Sequence, residues 1–247
     1  MNVPMALLSG FHRAAMYRLC SVALAYPVPG RLAEVARLGA ATMAGAELSL
    51  RPLIDAVIDS ARWTADASAA SEYVRLFDGA ARCAPYEGAY GPPQMAGKVA
   101  LLADLSGFYG AFGLDVADGQ PEVQDHIATE LEFASALAIK EAWALAEHHY
   151  EHADVTRGAT IAFLGDHLAR WAPVFAEALE AASEFPYYRA VAALLRSWVA
   201  ADTAHLGVSA VVVAAATGEA ANDEPFTCPM SGDPGTSERT AGRALLP

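Results

Sequence analysis

Apolar residues recur every three or four positions along most of the chain, and Gly and Pro fall between segments of helical length. This spacing places apolar side chains on one face of a helix, and β-branched runs typical of strands are scarce. The pattern predicts an all-α protein, a single-domain multi-helix bundle of eight or nine helices. The predicted ranges are 9–26, 31–43, 49–63, 69–77, 94–112, 121–152, 155–171, 174–183 and 186–216.

A loop over residues 79–93, GAARCAPYEGAYGPP, separates the fourth and fifth predicted helices. Its glycines and prolines prevent a regular helix, yet it carries two tyrosines, Tyr86 and Tyr90. Long ordered loops with aromatic side chains are often binding loops. The alternative is that both tyrosines anchor the loop to the core, and the sequence leaves both interpretations open.

The predicted helix 121–152 begins PEVQDHIATELEF, with Pro121 in its first turn. At 100° per residue, His126 and Glu130 share a face with apolar residues, and Asp125 lies in the acidic first turn. Acidic side chains beside an apolar groove suit a ligand with cationic and hydrophobic parts, such as an arginine-containing peptide. The alternative is a helix-start aspartate next to a hydrogen-bonded core histidine.

The other end of the same predicted helix offers a metal site, because His148 and His152 are spaced i, i+4 with Glu141 on their face. Glu130 and Glu141 are separated by about 16 Å along a helix, so the two clusters cannot share one ion. The sequence also lacks a GxSxG elbow and a Gly-rich phosphate loop. We therefore expect no catalytic residues, no metal ligands and no enzyme activity, with a metal-binding helical-bundle enzyme as the alternative.

Composition limits the partners of the chain. It has 247 residues, 54% hydrophobic and 18% charged, with 16 basic against 29 acidic side chains and a net charge of −13. Such a chain folds around a core rather than remaining disordered throughout. Without clustered Lys and Arg it is not expected to bind nucleic acid, whereas acidity favours a cationic partner or simply solubility.

Three further features concern location and the C-terminus. The three widely spaced cysteines include no CxxC pair, and the N-terminal segment lacks the basic and apolar regions of a signal peptide. The longest small-and-apolar stretch, 207–216, is about half of the roughly 20 residues that span a membrane. We expect a cytoplasmic protein without stable membrane insertion. Its helical domain is predicted over 1–216, followed by a disordered tail over 217–247.

Four motifs occur in a distinctive order: YVRLFDG, the loop APYEGAYG, the helix MAGKVALLADLSGFYGAFGL, and PEVQDHIATELEFASALAIKEA. Together they resemble the TorD/DmsD/NarJ family of molybdoenzyme chaperones, also called redox enzyme maturation proteins. The match spans about residues 70–145. Its most specific element is the pair Asp125-His126, followed by Glu130, Leu131 and Phe133, downstream of the loop.

The resemblance implies a cytoplasmic chaperone specific for one system. Such a protein binds the twin-arginine signal peptide and the apo form of a molybdoenzyme catalytic subunit, and assists molybdenum cofactor insertion before export. It implies no tightly bound cofactor, only transient contact with the molybdenum cofactor, molybdopterin guanine dinucleotide. A monomer or a homodimer is expected. A permanent structural subunit of a redox complex is the other alternative.

Carried over by position, the resemblance also implies the peptide-binding and partner-binding residues. They are Leu76, Phe77, Tyr86, Glu87, Tyr90, Asp125, His126 and Glu130. The family often has a tryptophan after paired prolines in this loop, where this chain has Ala84, Pro85 and Tyr86. That difference resembles the subgroup serving type II dimethyl-sulfoxide-reductase-like enzymes, such as reductases of selenate and chlorate.

Overall fold

The structure is a computed structural model that describes residues 3–78, 83–91, 95–115 and 123–213, without the side chains of 3–7 and 95–96. Within these ranges the secondary structure is helical apart from one isolated β-bridge, which confirms the all-α prediction. The nine α-helices of the described ranges are α1 Val3–Leu24, α2 Arg31–Thr42, α3 Arg51–Trp63, α4 Asp66–Phe77, α5 Met95–Ala111, α6 Ile127–Ala146, α7 Tyr150–Phe163, α8 Ala169–Ala182 and α9 Pro186–Leu206.

Helices α1 and α6 pack antiparallel at the centre of the bundle. The hydroxyl of Ser135 on α6 donates to the backbone carbonyl of Ala14 on α1 at 2.9 Å. In the other direction, the hydroxyl of Ser21 on α1 donates to the backbone carbonyl of Ala128 on α6, also at 2.9 Å. Gly10 allows the closest approach, since a Cβ there would lie 2.9 Å from the Cβ of Ala142. The small residues at this crossing thus fix the separation of the two helices.

Helix α9 joins the other helices to this pair through buried aromatic residues. Tyr187 donates its hydroxyl to the carbonyl of Ala23 on α1, and Tyr188 donates to that of Ala69 on α4, both at 3.0 Å. Both rings are at most 1% exposed. Because each buried hydroxyl has an acceptor, a hydrogen bond offsets the cost of removing that hydroxyl from water, and the rings contribute apolar burial.

A buried ionic cluster connects α1, α6 and α9. The Arg13 guanidinium donates to Asp202 at 2.7 and 3.1 Å and to Glu141 at 2.9 Å. The Tyr17 hydroxyl donates to Asp202 at 2.6 Å. Glu141, considered in the sequence as a metal ligand, therefore serves as a partner of two arginines, since Arg157 also contacts it at 3.3 Å.

The prediction of a single helix over 121–152 is wrong at both ends of that range. Helix α6 begins at Ile127 because His126 has extended backbone angles (φ −78°, ψ 138°) and caps the helix with its side chain. The helix ends at Ala146, and His148 has a positive φ of 61°. His148 therefore precedes α7 while His152 lies within it, so the predicted i, i+4 pair on one helix does not exist.

Other predicted boundaries also shift. The predicted break before Val174 is absent, because α7 and α8 are joined by a π-helical turn, Leu164–Leu168, and Pro173 lies inside α8. Helix α9 ends at Leu206 rather than at 216, since Gly207 adopts the left-handed conformation (φ 71°) that closes a helix. Helix α1 begins at Val3, earlier than the predicted Ser9.

Two predictions concern segments outside this fold. The predicted tail, 217–247, lies outside the described residues, and so does Pro121. Among the described helices, none combines the length and the apolar character needed to cross a membrane.

Candidate functional site

The loop around Tyr86 pairs with the residues that precede α6. The amide of Glu87 donates to the carbonyl of Asp125, and the amide of Ile127 donates to that of Pro85, each at 2.8 Å. These two bonds form an antiparallel bridge between Tyr86 and His126. Two of the sequence-predicted segments, 40 residues apart, are thus brought into direct contact.

His126 has defined partners on both ring nitrogens. Its Nδ1 accepts the amide of Ala128 at 3.1 Å, and its Nε2 lies 3.2 Å from the hydroxyl of Tyr73. Because Nδ1 accepts, the neutral ring carries its proton on Nε2 and donates it to Tyr73. Burial lowers the pKa of His126 to about 4, so the ring is neutral at physiological pH.

The two paired segments and the first turn of α6 carry three buried carboxyl groups: Glu87, Asp125 and Glu130. Asp125 accepts the amide of Gly88 at 3.3 Å, and Glu130 accepts the indole N–H of Trp171 at 3.1 Å. Burial and, next, the charge of Glu87 raise the pKa of Glu130 well above its ordinary value. The structure therefore places these acids inside the protein, where burial favours the neutral form of Glu130.

The two loop tyrosines differ in their surroundings. Tyr90 packs against Trp171 with ring centroids 5.2 Å apart and donates its hydroxyl to the carbonyl of Ala84 at 2.9 Å, so it anchors the loop to the core. Tyr86 is half-buried, with its ring 5.4 Å from His126. Leu76 and Phe77 lie in the core below, at 0% and 6% exposure.

The structure adds two tyrosines that the sequence analysis did not assign. Tyr26, which is 38% exposed, packs edge-on against Tyr73 at 5.3 Å, and Tyr73 in turn reaches His126. Tyr73 stands in the motif YVRLFDG, which was a usable signal, whereas Tyr26 follows α1 with no local signal of function. The solvent-facing part of the site is therefore aromatic, formed by Tyr26, Tyr73 and Tyr86, which we call the tyrosine surface.

A cavity of about 540 Å³ lies next to the first turn of α6. Its apolar wall includes Val22, Tyr109 and Phe133, and its rim carries the ion pair of Arg18 with Glu132 at 2.6 Å. Ala128 and Thr129, one turn from the His126 bridge, also line it. The cavity thus lies at the start of α6 with both apolar and polar lining residues, and Ala25, which also lines it, directly precedes Tyr26 of the tyrosine surface in the chain.

No group of three or more His, Cys, Asp or Glu side chains suited to a metal ion occurs in the part of the chain that the structure describes. The site residues are instead joined by hydrogen bonds to one another and to the backbone. Chemically, the site consists of the buried carboxyl groups of Glu87, Asp125 and Glu130 and of the aromatic rings of the tyrosine surface. Such a surface can bind a cationic side chain by cation–π contact.

Comparison with known proteins identifies the family. The family model described as nitrate reductase delta subunit matches residues 40–177, more than half of the chain. The chain is 29% identical over 174 residues to the chaperone protein TorD of Vibrio parahaemolyticus serotype O3:K6, covering 66% of this chain and 77% of that one.

Two further relatives match at 35% identity over 114 residues: the chlorate reductase assembly chaperone of Ideonella dechloratans and the selenate reductase assembly chaperone of Thauera selenatis. Each match covers 45% of this chain and 57% of the relative, so the chain spans little more than half of their length. A crystal structure of a proposed redox enzyme maturation protein from Archaeoglobus fulgidus is similar with a TM-score of 0.49 and 18% identity, covering 76% of this chain and 93% of that chain.

The resemblance found from the order of the four motifs is confirmed by these matches. The named relatives are chaperones rather than enzymes, in agreement with the prediction. The chain belongs to the nitrate reductase delta subunit family, together with the TorD-type assembly chaperones.

Proposed function

We propose that the chain is a cytoplasmic chaperone that binds the twin-arginine signal peptide of a molybdoenzyme catalytic subunit. It holds the apo subunit back from export until the molybdenum cofactor has been inserted. Two of the named relatives are assembly chaperones for chlorate reductase and selenate reductase, which supports a client of similar type. The proposal is carried by the bridge between Tyr86 and His126, because it builds one surface from two motifs of the family.

The tyrosine surface supports recognition of arginine. Tyrosine faces attract a guanidinium through their ring quadrupole, with about 0.5–2 kcal/mol per contact. The net charge of −13 adds long-range attraction for a basic peptide. His126 contributes indirectly, since it fixes the position of Tyr73 and the loop and is itself only 1% exposed.

The neighbouring cavity supports recognition of the apolar part of the same peptide. Its apolar wall and its volume of about 540 Å³ suit a few apolar side chains, and the pair Arg18–Glu132 can receive polar backbone groups at the rim. An export signal places an apolar segment after its basic residues. One extended peptide could therefore contact the tyrosine surface and the cavity together.

In this proposal the molybdenum cofactor is cargo of the client. Contact with molybdopterin guanine dinucleotide is transient, and no resident cofactor is required. A permanent structural subunit would instead co-purify at fixed stoichiometry with the mature, cofactor-loaded enzyme. Co-purification from cells that express the client, followed by cofactor analysis of the complex, distinguishes the two roles.

The direct test is calorimetric titration with a synthetic peptide of about 25 residues that carries two adjacent arginines followed by an apolar segment. We expect Tyr86→Ala to weaken binding about tenfold, or about 1.4 kcal/mol, and the affinity to fall with added salt. Tyr150→Ala is the matched control, because Tyr150 is 49% exposed at the start of α7. Equal affinity for a peptide with alanines in place of both arginines would contradict the proposal.

A further inference from the structure

Helix α6 turns one face outward, and beyond its first turns that face is apolar. Glu132, Ala136, Ile139 and Trp143 fall within about 60° of one another at 100° per residue. Ile139 is 47% exposed and Trp143 is 56% exposed, and Ala136 between them and Glu132 is half-buried. The outer face of α6 therefore changes from a charged residue to large apolar residues along its length.

The outward face of α1 lies beside that of α6. Arg18 pairs with Glu132 at 2.6 Å, which sets the register of the two antiparallel helices. Both helices rise equally per residue, so Phe11 and Ile139, each seven residues beyond this pair, lie level with one another. Together the two faces form one surface, which we call the outer α1–α6 surface: Leu8, Phe11, Ala15, Ala136, Ile139 and Trp143.

The large side chains of the outer α1–α6 surface are exposed to water. Leu8 is 68% exposed and Phe11 is 48% exposed, in addition to Ile139 and Trp143 on the neighbouring helix. Single exposed apolar residues are common on soluble proteins, but several that adjoin one another mark an interaction site. We therefore treat this surface as a site that a partner covers.

The outer α1–α6 surface is continuous with the cavity of about 540 Å³. Arg18 and Ala136 line that cavity, and Ala136 also belongs to the surface. Along α1 the lining of the cavity extends from Arg18 to Ala25, which directly precedes Tyr26 of the tyrosine surface. The tyrosine surface, the cavity and the outer α1–α6 surface thus follow one another along the same two helices.

The length of this path matches the apolar part of an export signal. That part contains about 7–15 residues, more than the few side chains that the cavity accommodates. From Thr129, which lines the cavity, to Trp143 is 14 residues of α6, or about 21 Å, the length of a 14-residue helix. Because the lining of the cavity ends at Ala136, about halfway, the second half of such a segment needs further apolar surface.

Charge favours a basic peptide over a second copy of the chain as the partner. Each copy carries a net charge of −13, so two copies repel one another. A segment that follows adjacent arginines is attracted by the same charge. An apolar helix also packs readily along a pair of helices, through side chains spaced three and four residues apart.

We propose that the outer α1–α6 surface binds the second half of the apolar segment of the client's export signal. The segment lies as a helix along α1 and α6, with its arginines at the tyrosine surface and its far end at Trp143. This inference rests on the proposed function and deepens it, because it assigns a further binding surface and the direction of the peptide.

The test is calorimetric titration with two synthetic peptides of equal length that carry the same two adjacent arginines. In the long-segment peptide about 12 apolar residues follow the arginines, within the range of export signals. In the short-segment peptide only the first four or so are apolar, and glutamines, which retain helix propensity, replace the rest. The natural protein should bind the long-segment peptide about tenfold more tightly, because only this peptide covers the outer α1–α6 surface.

Variants of the surface locate this preference. Ile139→Gln and Trp143→Gln should each reduce it about threefold, and the double variant should bind the two peptides equally. Affinity for the short-segment peptide should remain unchanged in all of them, and circular dichroism checks that they fold. Trp63→Gln is the matched control, because Trp63 is 89% exposed on α3, outside this surface, and it should retain the full preference.

The possible failures are distinguishable. Equal affinity of the natural protein for both peptides would overturn this inference and leave the proposed function intact. A preference that persists in the double variant would also overturn it, because the segment would then bind elsewhere. A dimer that Trp143→Gln dissociates, with the peptide preference unchanged, would assign the surface to a second copy instead. Binding of neither peptide would overturn the proposed function and this inference together.

Discussion

The Nε2 atom of His126 lies 3.2 Å from the hydroxyl of Tyr73, although 53 residues separate them in the sequence. The same ring caps α6 through Nδ1. One side chain thus starts the helix, positions the aromatic ring of Tyr73 and pairs through its backbone with the loop at Tyr86.

Substitution of His126 should separate capping from binding. Asparagine is a good helix cap, so His126→Asn should retain the start of α6, whereas His126→Ala should lose about a further 1 kcal/mol of stability. Both remove the contact with Tyr73, and both should weaken binding of the two-arginine peptide about tenfold. Urea unfolding and calorimetry measure the two effects, and full affinity in His126→Asn would refute the role of Tyr73 placement.

Stability should fall in acid because of His126. Its pKa is about 4 when folded against 6.5 when unfolded, so the unfolded chain takes up the proton first as pH decreases. The contribution is complete above pH 6.5 and declines as pH falls to 4, by about 3 kcal/mol in total. Urea unfolding across this range should show a smaller slope in His126→Asn than in the natural protein. Glu130, with a raised pKa, acts with the opposite sign above pH 4.5 and is common to both proteins.

Arg13 should be far more important for stability than Arg18, although both lie on α1 and pair with glutamates of α6. Arg13→Met leaves Asp202 and Glu141 buried with their main cationic partner removed, which should cost about 3–5 kcal/mol. Arg18→Met breaks an exposed pair with Glu132 and should cost at most about 1 kcal/mol. Thermal and urea unfolding compare the two variants, and equal losses would contradict the importance of the buried cluster.

The α1–α6 crossing should be destabilised by a single added methyl group. Gly10→Ala would place its Cβ 2.9 Å from that of Ala142, so the helices must separate, at a cost of about 1–2 kcal/mol. Gly10→Ala combined with Ala142→Gly should recover most of this loss in a double-mutant cycle. Destabilisation that the second substitution does not relieve would show that the close contact is not its cause.

The local sequence pattern was enough to predict most of the helices, because the spacing of apolar residues and the signals at helix ends act within a few residues. Pro27 after α1 and Gly113 after α5, the latter with a φ of 69°, mark helix ends by their own backbone preferences. The pattern failed to predict a helix end where a segment distant in the sequence holds the backbone out of the helix. The bridge to Tyr86 holds His126 extended, so α6 cannot begin at the proline that the sequence favours.

The sequence by itself determined an all-helical fold, its family and the two segments that form the site, because composition, periodicity and motif order are properties of the chain alone. Only the tertiary structure decided that Asp125, His126 and Glu130 are buried rather than exposed. It also brought His167 to Glu87 and Arg13 to Asp202, pairs separated by 80 and 189 residues. Burial and such pairing depend on which helices pack together, and no local preference of the chain encodes that packing.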